Sequence, residues 1–230
     1  MFARYLACSA IILGAPVVAS AAERPVVVEL FTSEGCSSCP PAEAFLTELS
    51  HQRRDVLPLA FHVTYWNSLG WRDPYSLPIA TQRQADYSAR FGDEPYTPEM
   101  VVNGRRDFVG SDRGRANEVI GEAKSDFTAA SVEARRDGNT ISIAVGQGSG
   151  AATVMLVGFD PQHRTSVGRG ENAGRTLTES NIVRSIQPIG EWNGTAKTFH
   201  AEVQGGTQEA VLLEAADGSV VGAARVTSAR

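Results

Sequence analysis

Cysteine is scarce in this chain, with three in 230 residues, at Cys8, Cys36 and Cys39. That count excludes the disulfide framework that holds many small secreted domains together, which takes four or more. Lysine occurs only at Lys124 and Lys197, so no lysine stands near Cys36 in the sequence to activate a thiol. The four histidines, His51, His62, His163 and His200, show no His-x-His or His-x-x-His spacing. A copper-handling site built from Cys36, Cys39 and one histidine therefore has no spacing behind it, and no metal or other cofactor is expected. Basic runs are missing as well, and a net charge of −5 gives no reason to expect a nucleic-acid partner.

Long apolar runs are confined to the N-terminus. Met1-Phe2-Ala3-Arg4 is a short basic start, Tyr5 to Val18 is largely apolar, and Ala19-Ser20-Ala21 fits a small-x-small cleavage site. Residues 1–21 thus read as a secretory signal peptide, which predicts a secreted or periplasmic location and no membrane association after cleavage. Cleavage removes Cys8 and delivers Cys36 and Cys39 to an oxidising compartment. Two cysteines three apart close too small a loop to staple a fold through chain entropy, so the pair points to chemistry.

That pair lies in Glu34-Gly35-Cys36-Ser37-Ser38-Cys39-Pro40-Pro41. Pro25 to Phe31 before it is a continuous, β-branched run, read as a buried strand. Ala42, Phe45, Leu46 and Leu49 after it share one helical face, so Pro41 to Ser50 reads as a helix. A second strand is expected over Val56–Tyr65, a helix over Ile79–Phe91 stopped by Gly92, two short strands around the Asn103-Gly104 turn, and a helix over Arg115–Phe127. The order β-α-β-α-β-β-α is that of a thioredoxin fold. From Ala129 onward the texture changes to seven short alternating segments, with turns at Asp137-Gly138 and Asp217-Gly218. The expectation is an α/β thioredoxin-like domain over 22–128, followed by an all-β, sandwich-like domain over 129–230.

Strand, loop, Cys-x-x-Cys and helix form the layout of a thiol–disulfide site. Cys36 is the expected nucleophile and Cys39 the resolving thiol. The double proline predicts that the regular helix starts near Pro40 or Pro41, with Cys36–Cys39 forming a turn that caps it. The segment His62 to Tyr75 holds two of the three tryptophans and reads either as a substrate cleft or as a packed loop. Gly168 to Arg175 looks at first like a phosphate loop, but no helical pattern follows it. It reads instead as a long loop of the β-rich part, reaching toward the first domain.

The motif set Glu34 to Pro41, Tyr65-Trp66 with Leu69-Gly70-Trp71, Asp73-Pro74, Tyr96-Thr97-Pro98, Val101 to Gly104, Phe108 to Arg113 and Gly168 to Leu177 resembles a secreted bacterial thioredoxin-like family of no assigned function. The resemblance implies that Thr97-Pro98 is cis, with Pro98 facing the cysteines and shaping a cleft. It also implies a buried acid near Glu29 that handles protons for Cys39. The alternative for Glu29 is a strand-end carboxylate bonded to backbone or solvent. Three functions stay open: a thiol–disulfide oxidoreductase acting on a protein thiol or disulfide partner, a binding protein in which Cys36–Cys39 is a permanent bridge, and, behind both, a copper-handling protein.

Overall fold

The computed structural model describes residues 24–228; the signal peptide expected over 1–21 lies outside them. The chain runs β1 (Val26–Thr32), α1 (Pro40–Gln52), β2 (Val56–His62), a 3-10 turn (Tyr65–Ser68), α2 (Pro78–Phe91), β3 (Glu99–Val102), β4 (Arg106–Val109) and α3 (Arg113–Ala123). It continues through β5 (Val132–Asp137), β6 (Thr140–Val145), β7 (Ala152–Ser166), β8 (Thr176–Trp192), β9 (Lys197–Glu202), β10 (Gln208–Glu214) and β11 (Val220–Ser228). Among the described residues no helix is long and apolar enough to cross a membrane.

Local chemistry accounts for the helix ends. Prolines open α1 and α2 at positions whose N–H groups have no helical partner in any case. Gly92, at φ 80°, closes α2 in the left-handed region that only glycine adopts freely. Asp112 caps α3 by accepting from the Arg115 N–H at 2.9 Å.

Among the described residues all eleven strands join one mixed sheet, in the order β4-β3-β1-β2-β8-β7-β10-β11-β5-β6-β9. This corrects the expected fold class of a thioredoxin-like α/β domain followed by a separate all-β domain. β2 pairs in parallel with β8 at Ala60 and Ile182, so the sheet runs without a break from the first half of the chain into the second. β1 alternates accordingly. Val26, Val28 and Leu30 pack with α1 and α3, around Phe45, Leu46, Val119 and Ile120. Val27 and Phe31 pack on the other face with Leu59, Phe61 and Tyr87, and in the same core with Val157, Phe159, Val183, Ala210 and Leu212 from the C-terminal half. A third core, around Trp192, Ile141, Ile143, Val154 and Leu213, fills the curl of the last strands. Periodicity identifies strands but not their neighbours. β7 and β8 also run for 15 and 17 residues, well past the apolar segments that mark them in the sequence.

Glycine at 104 is demanded by close approach. Its φ is 62°, and a Cβ there would stand 2.3 Å from the Gly218 carbonyl oxygen, so the β3–β4 and β10–β11 turns meet only if this residue lacks a side chain.

Charge is buried in the shared core as well. Glu29, on the Val27 face of β1, accepts from Arg83 Nε at 2.5 Å, Arg83 Nη2 at 3.0 Å and the Tyr87 hydroxyl at 2.7 Å. Arg83 also donates to Glu214 on β10 at 2.7 Å. Replacing Arg83 with Ala strands the Glu29 carboxylate in an apolar core and is expected to cost about 3–5 kcal/mol in denaturant unfolding. A loss under about 1 kcal/mol would mean that water reaches Glu29.

Candidate functional site: a covered disulfide at a helix head

β1 ends at Thr32, and the chain turns through Ser33 into the cysteine loop. Cys36 N donates to Ser33 O at 3.0 Å, and Cys39 N to Cys36 O at 3.3 Å. Cys39 takes the cap position of α1, and its carbonyl accepts from Ala42 N at 2.9 Å and Glu43 N at 3.1 Å. The helix thus starts at Pro40, as the double proline requires. Cys36 and Cys39 form a disulfide. Thr97 Oγ1 donates to Cys36 Sγ at 3.4 Å, and Ser38 Oγ lies 3.3 Å from the same sulfur. Trp66 Nε1 holds Thr97 Oγ1 from behind at 2.9 Å. The Thr97–Pro98 peptide is cis, and Pro98 is buried. The structure therefore brings Cys36, Cys39 and the Thr97–Pro98 corner together. It does not bring Glu29, which lies on the sheet face opposite α1 and is taken up by Arg83.

Both cysteines are 0% exposed. The loop of residues 167–175, which joins β7 to β8, is pinned to the turn that carries them. Asn172, itself fully buried, donates through Nδ2 to the carbonyls of Glu34 and Cys36, both at 2.9 Å. Glu171 accepts on Oε2 from Ser37 N at 3.2 Å and Ser37 Oγ at 2.6 Å. The Ser37 hydroxyl and N–H hold the Glu171 carboxyl below its usual range. Arg175 orients Asn172 by donating to its Oδ1 at 2.8 Å. Gly168 and Gly170 lie against Trp71, which seats the loop on the Trp-rich segment.

Beneath this lies a sealed group of acids around one histidine. His62 Nδ1 is 2.7 Å from Asp73 Oδ2, and its Nε2 is 3.9 Å from Glu179 Oε1. The same Asp73 oxygen accepts from Glu34 N at 2.9 Å. Glu34 accepts from Trp71 Nε1 at 2.7 Å, and Glu43 on α1 accepts from Thr32 Oγ1 at 2.6 Å. Burial acts against the imidazolium, but Asp73 and Glu179 outweigh it and raise His62 to about 10. Burial likewise acts to raise Asp73, and the His62 charge with the Glu34 and Tyr75 N–H groups brings it below its usual range instead. Nothing offsets burial so fully at the other acids: Glu34 and Glu43 are raised, and Glu179 is pushed up to about 9. Glu34 Oε1, His62 Nε2 and both Glu179 carboxyl oxygens have no hydrogen-bond partner. Among the described residues no group of three or more His, Cys, Asp or Glu is arranged to hold a metal ion.

Sequence reasoning passed over Glu43, Asp73, Glu171, Asn172 and Glu179. One signal was available. Glu43 sits on the apolar face of α1 between Ala42 and Leu46, where a carboxylate needs a buried partner. Nothing local marks Asn172.

A mixed α/β protein with a Cys-x-x-Cys disulfide at a helix head, covered by a loop from the far half of its sheet, is the class that fold and site define. The chain belongs to the DUF1223 family of proteins of unknown function, whose signature it matches over residues 27–216. It is similar to a protein of Agrobacterium tumefaciens solved by X-ray crystallography, at 31% identity and a TM-score of 0.76, over 88% of this chain and 93% of that one. HBP35 of Porphyromonas gingivalis, at 15% identity and a TM-score of 0.60 over 88% of this chain and 74% of that one, is similar in fold. No curated protein matches the chain.

The acid cluster makes stability depend on pH with a definite sign. Glu179 and His62 keep their protons in the fold to about pH 9 and about pH 10, against ordinary values of 4.5 and 6.5. The folded chain therefore binds more protons than the unfolded one across that span, and stability falls as pH rises through it. The His62 contribution is complete below about pH 6.5 and gone above about pH 10. Urea midpoints should drop from about pH 5 to about pH 9, and Glu179→Gln should flatten the drop. A profile unchanged by the substitution would contradict this electrostatic account.

Proposed function

We propose that this protein exchanges thiols and disulfides with a protein partner, through Cys36 and Cys39, outside the cytoplasm. The observation that carries the reading is the pair of hydroxyls, Thr97 Oγ1 and Ser38 Oγ, within 3.4 Å of Cys36 Sγ at the head of α1. A neutral disulfide gains little from such donors, whereas a thiolate gains charge-assisted hydrogen bonds from them. A bridge across two intervening residues contributes little by chain entropy, so its retention argues for chemistry.

The step balances within the two molecules. A partner thiolate attacks Cys36 Sγ, the Cys36–Cys39 bond breaks, and Cys39 leaves as a thiolate that takes up a proton. A second partner thiolate attacks the partner's own sulfur in the mixed disulfide and expels Cys36 as a thiolate. Two electrons pass from partner dithiol to Cys36–Cys39, and the reverse direction uses the same bonds. The signal-peptide reading of residues 1–21 supports an oxidising compartment, where either direction is available.

Complete burial of both sulfurs favours a second reading, a permanent bridge in a binding protein. The reduction potential of the intact protein against glutathione separates the two. Exchange predicts a value above about −300 mV, in the range of catalytic couples, together with loss of exchange in Cys36→Ser. A value below about −300 mV marks a structural bridge.

A further inference from the structure

Both cysteines are 0% exposed, and residues 167–175 are seated on the backbone of the turn that carries them. The seating is polar rather than apolar. Within the loop only Val167 and Asn172 are buried; Gly168 to Glu171 and Ala173 to Arg175 are exposed. Besides Gly168 and Gly170 against Trp71, it rests on the two Asn172 bonds to the Glu34 and Cys36 carbonyls and the two Glu171 bonds to Ser37. Gly170 at φ 75° and Gly174 at φ 80° flank those two residues and supply swivels. A segment with so few buried contacts sits at the low-stability end of a fold, while β7 and β8 stay paired at Ser166 and Thr176 beneath it.

We propose that residues 167–175 form a redox-linked strap, in which Glu171 and Asn172 close over the disulfide and the Cys36 thiolate drives them off. This rests on the exchange reading of the cysteine pair. The Glu171 carboxylate takes the Ser37 N–H, the first backbone donor after Cys36. A disulfide is neutral and leaves that donor to Glu171. Reduction puts a thiolate on Cys36, which competes for the same donors and repels the carboxylate. The coupling is reciprocal: if the thiolate loosens the strap, the closed strap disfavours the thiolate. Glu171 and Asn172 are then positioning residues, which set the reactivity of Cys36 without touching the partner. A partner displaces the strap as it docks, so free small thiols are shut out of a centre that a bound protein opens.

The test uses the full mature chain as wild type, Glu171→Gln and Asn172→Ala. Reduction by dithiothreitol is followed by alkylation and mass, and the equilibrium is set against glutathione. Asn172→Ala should be reduced roughly tenfold faster, as loss of its two buried bonds unseats the strap. Glu171→Gln keeps the shape, loses the charge, and should shift the equilibrium toward dithiol by about tenfold, near 30 mV for a two-electron couple. Trypsin should cut after Arg169 in the reduced protein and spare the oxidised one. Because Glu171 is exposed, its variant keeps the test valid if Asn172→Ala fails to fold. Unchanged rate and equilibrium in a folded Glu171→Gln, or equal cleavage in both redox states, overturns the strap. A catalytic-range potential with unresponsive variants leaves exchange standing and removes the strap. A potential below about −300 mV with tenfold faster reduction in Asn172→Ala removes exchange and leaves the cover.

Discussion

The contact on which the rest depends is the meeting of β2 with β8. Pro58, in the middle of β2, has no N–H to offer a neighbour. Asn181, held at φ 52°, turns β8 and donates through Nδ2 to the Pro58 carbonyl at 2.7 Å, and one residue later Ile182 pairs with Ala60. Before that turn β8 runs beside α1, where Pro40, Glu43 and Ala44 share a pocket of about 290 Å³ with Arg175 to Thr178. After it, β8, already paired with β7 from Thr176, also pairs with β2. A single bend thus places Glu179 near Glu43 and His62 and carries residues 167–175 over the cysteines. It also lets the second half of the chain complete the core begun by Phe31 and Phe61.

That arrangement buries several acids for one imidazolium. Asp73 takes the His62 charge directly, so its carboxylate is the ionised member. Glu34, Glu43 and Glu179 are left with burial and little positive charge, which raises all three, Glu179 to about 9. The price is a cluster with unsatisfied oxygens, and it lies directly under the disulfide loop: Asp73 binds Glu34 N, and Asn172 binds Glu34 O from above. Glu34 therefore links the buried acids to the loop that covers the sulfurs. Glu29 and Arg83 follow the opposite rule, since a bidentate guanidinium satisfies the carboxylate outright.

Much of this was legible in the residues, and the failures have physical causes. The double proline marked the start of α1, Gly92 its counterpart at the end of α2, and Asn103-Gly104 the β3–β4 turn, because each depends on the backbone of a few adjacent residues. The loop 168–175 was recognisable as a long excursion toward the first half of the chain. Its two working side chains were not, since Glu171 and Asn172 acquire their roles only from atoms more than 130 positions away. Glu29 shows how one residue of parity decides a role: the neighbours Val28 and Leu30 face α1, and Glu29 faces Arg83. The largest failure was architectural. A change from α/β to alternating texture near residue 129 suggests two separate bodies, but texture reports which strands form, not which pair. The partner of β2 lies 122 positions on in sequence, at Ile182.

The central claim is that both halves of the described chain share one sheet and one core, and that the covered disulfide depends on this. Native-state hydrogen exchange of the oxidised protein tests it directly. The amides of β1 and β2 and those of β8 and β10 should exchange through the same global opening, with a common free energy and a common denaturant dependence. Two distinct free energies, one for residues before 128 and one for those after, would contradict it.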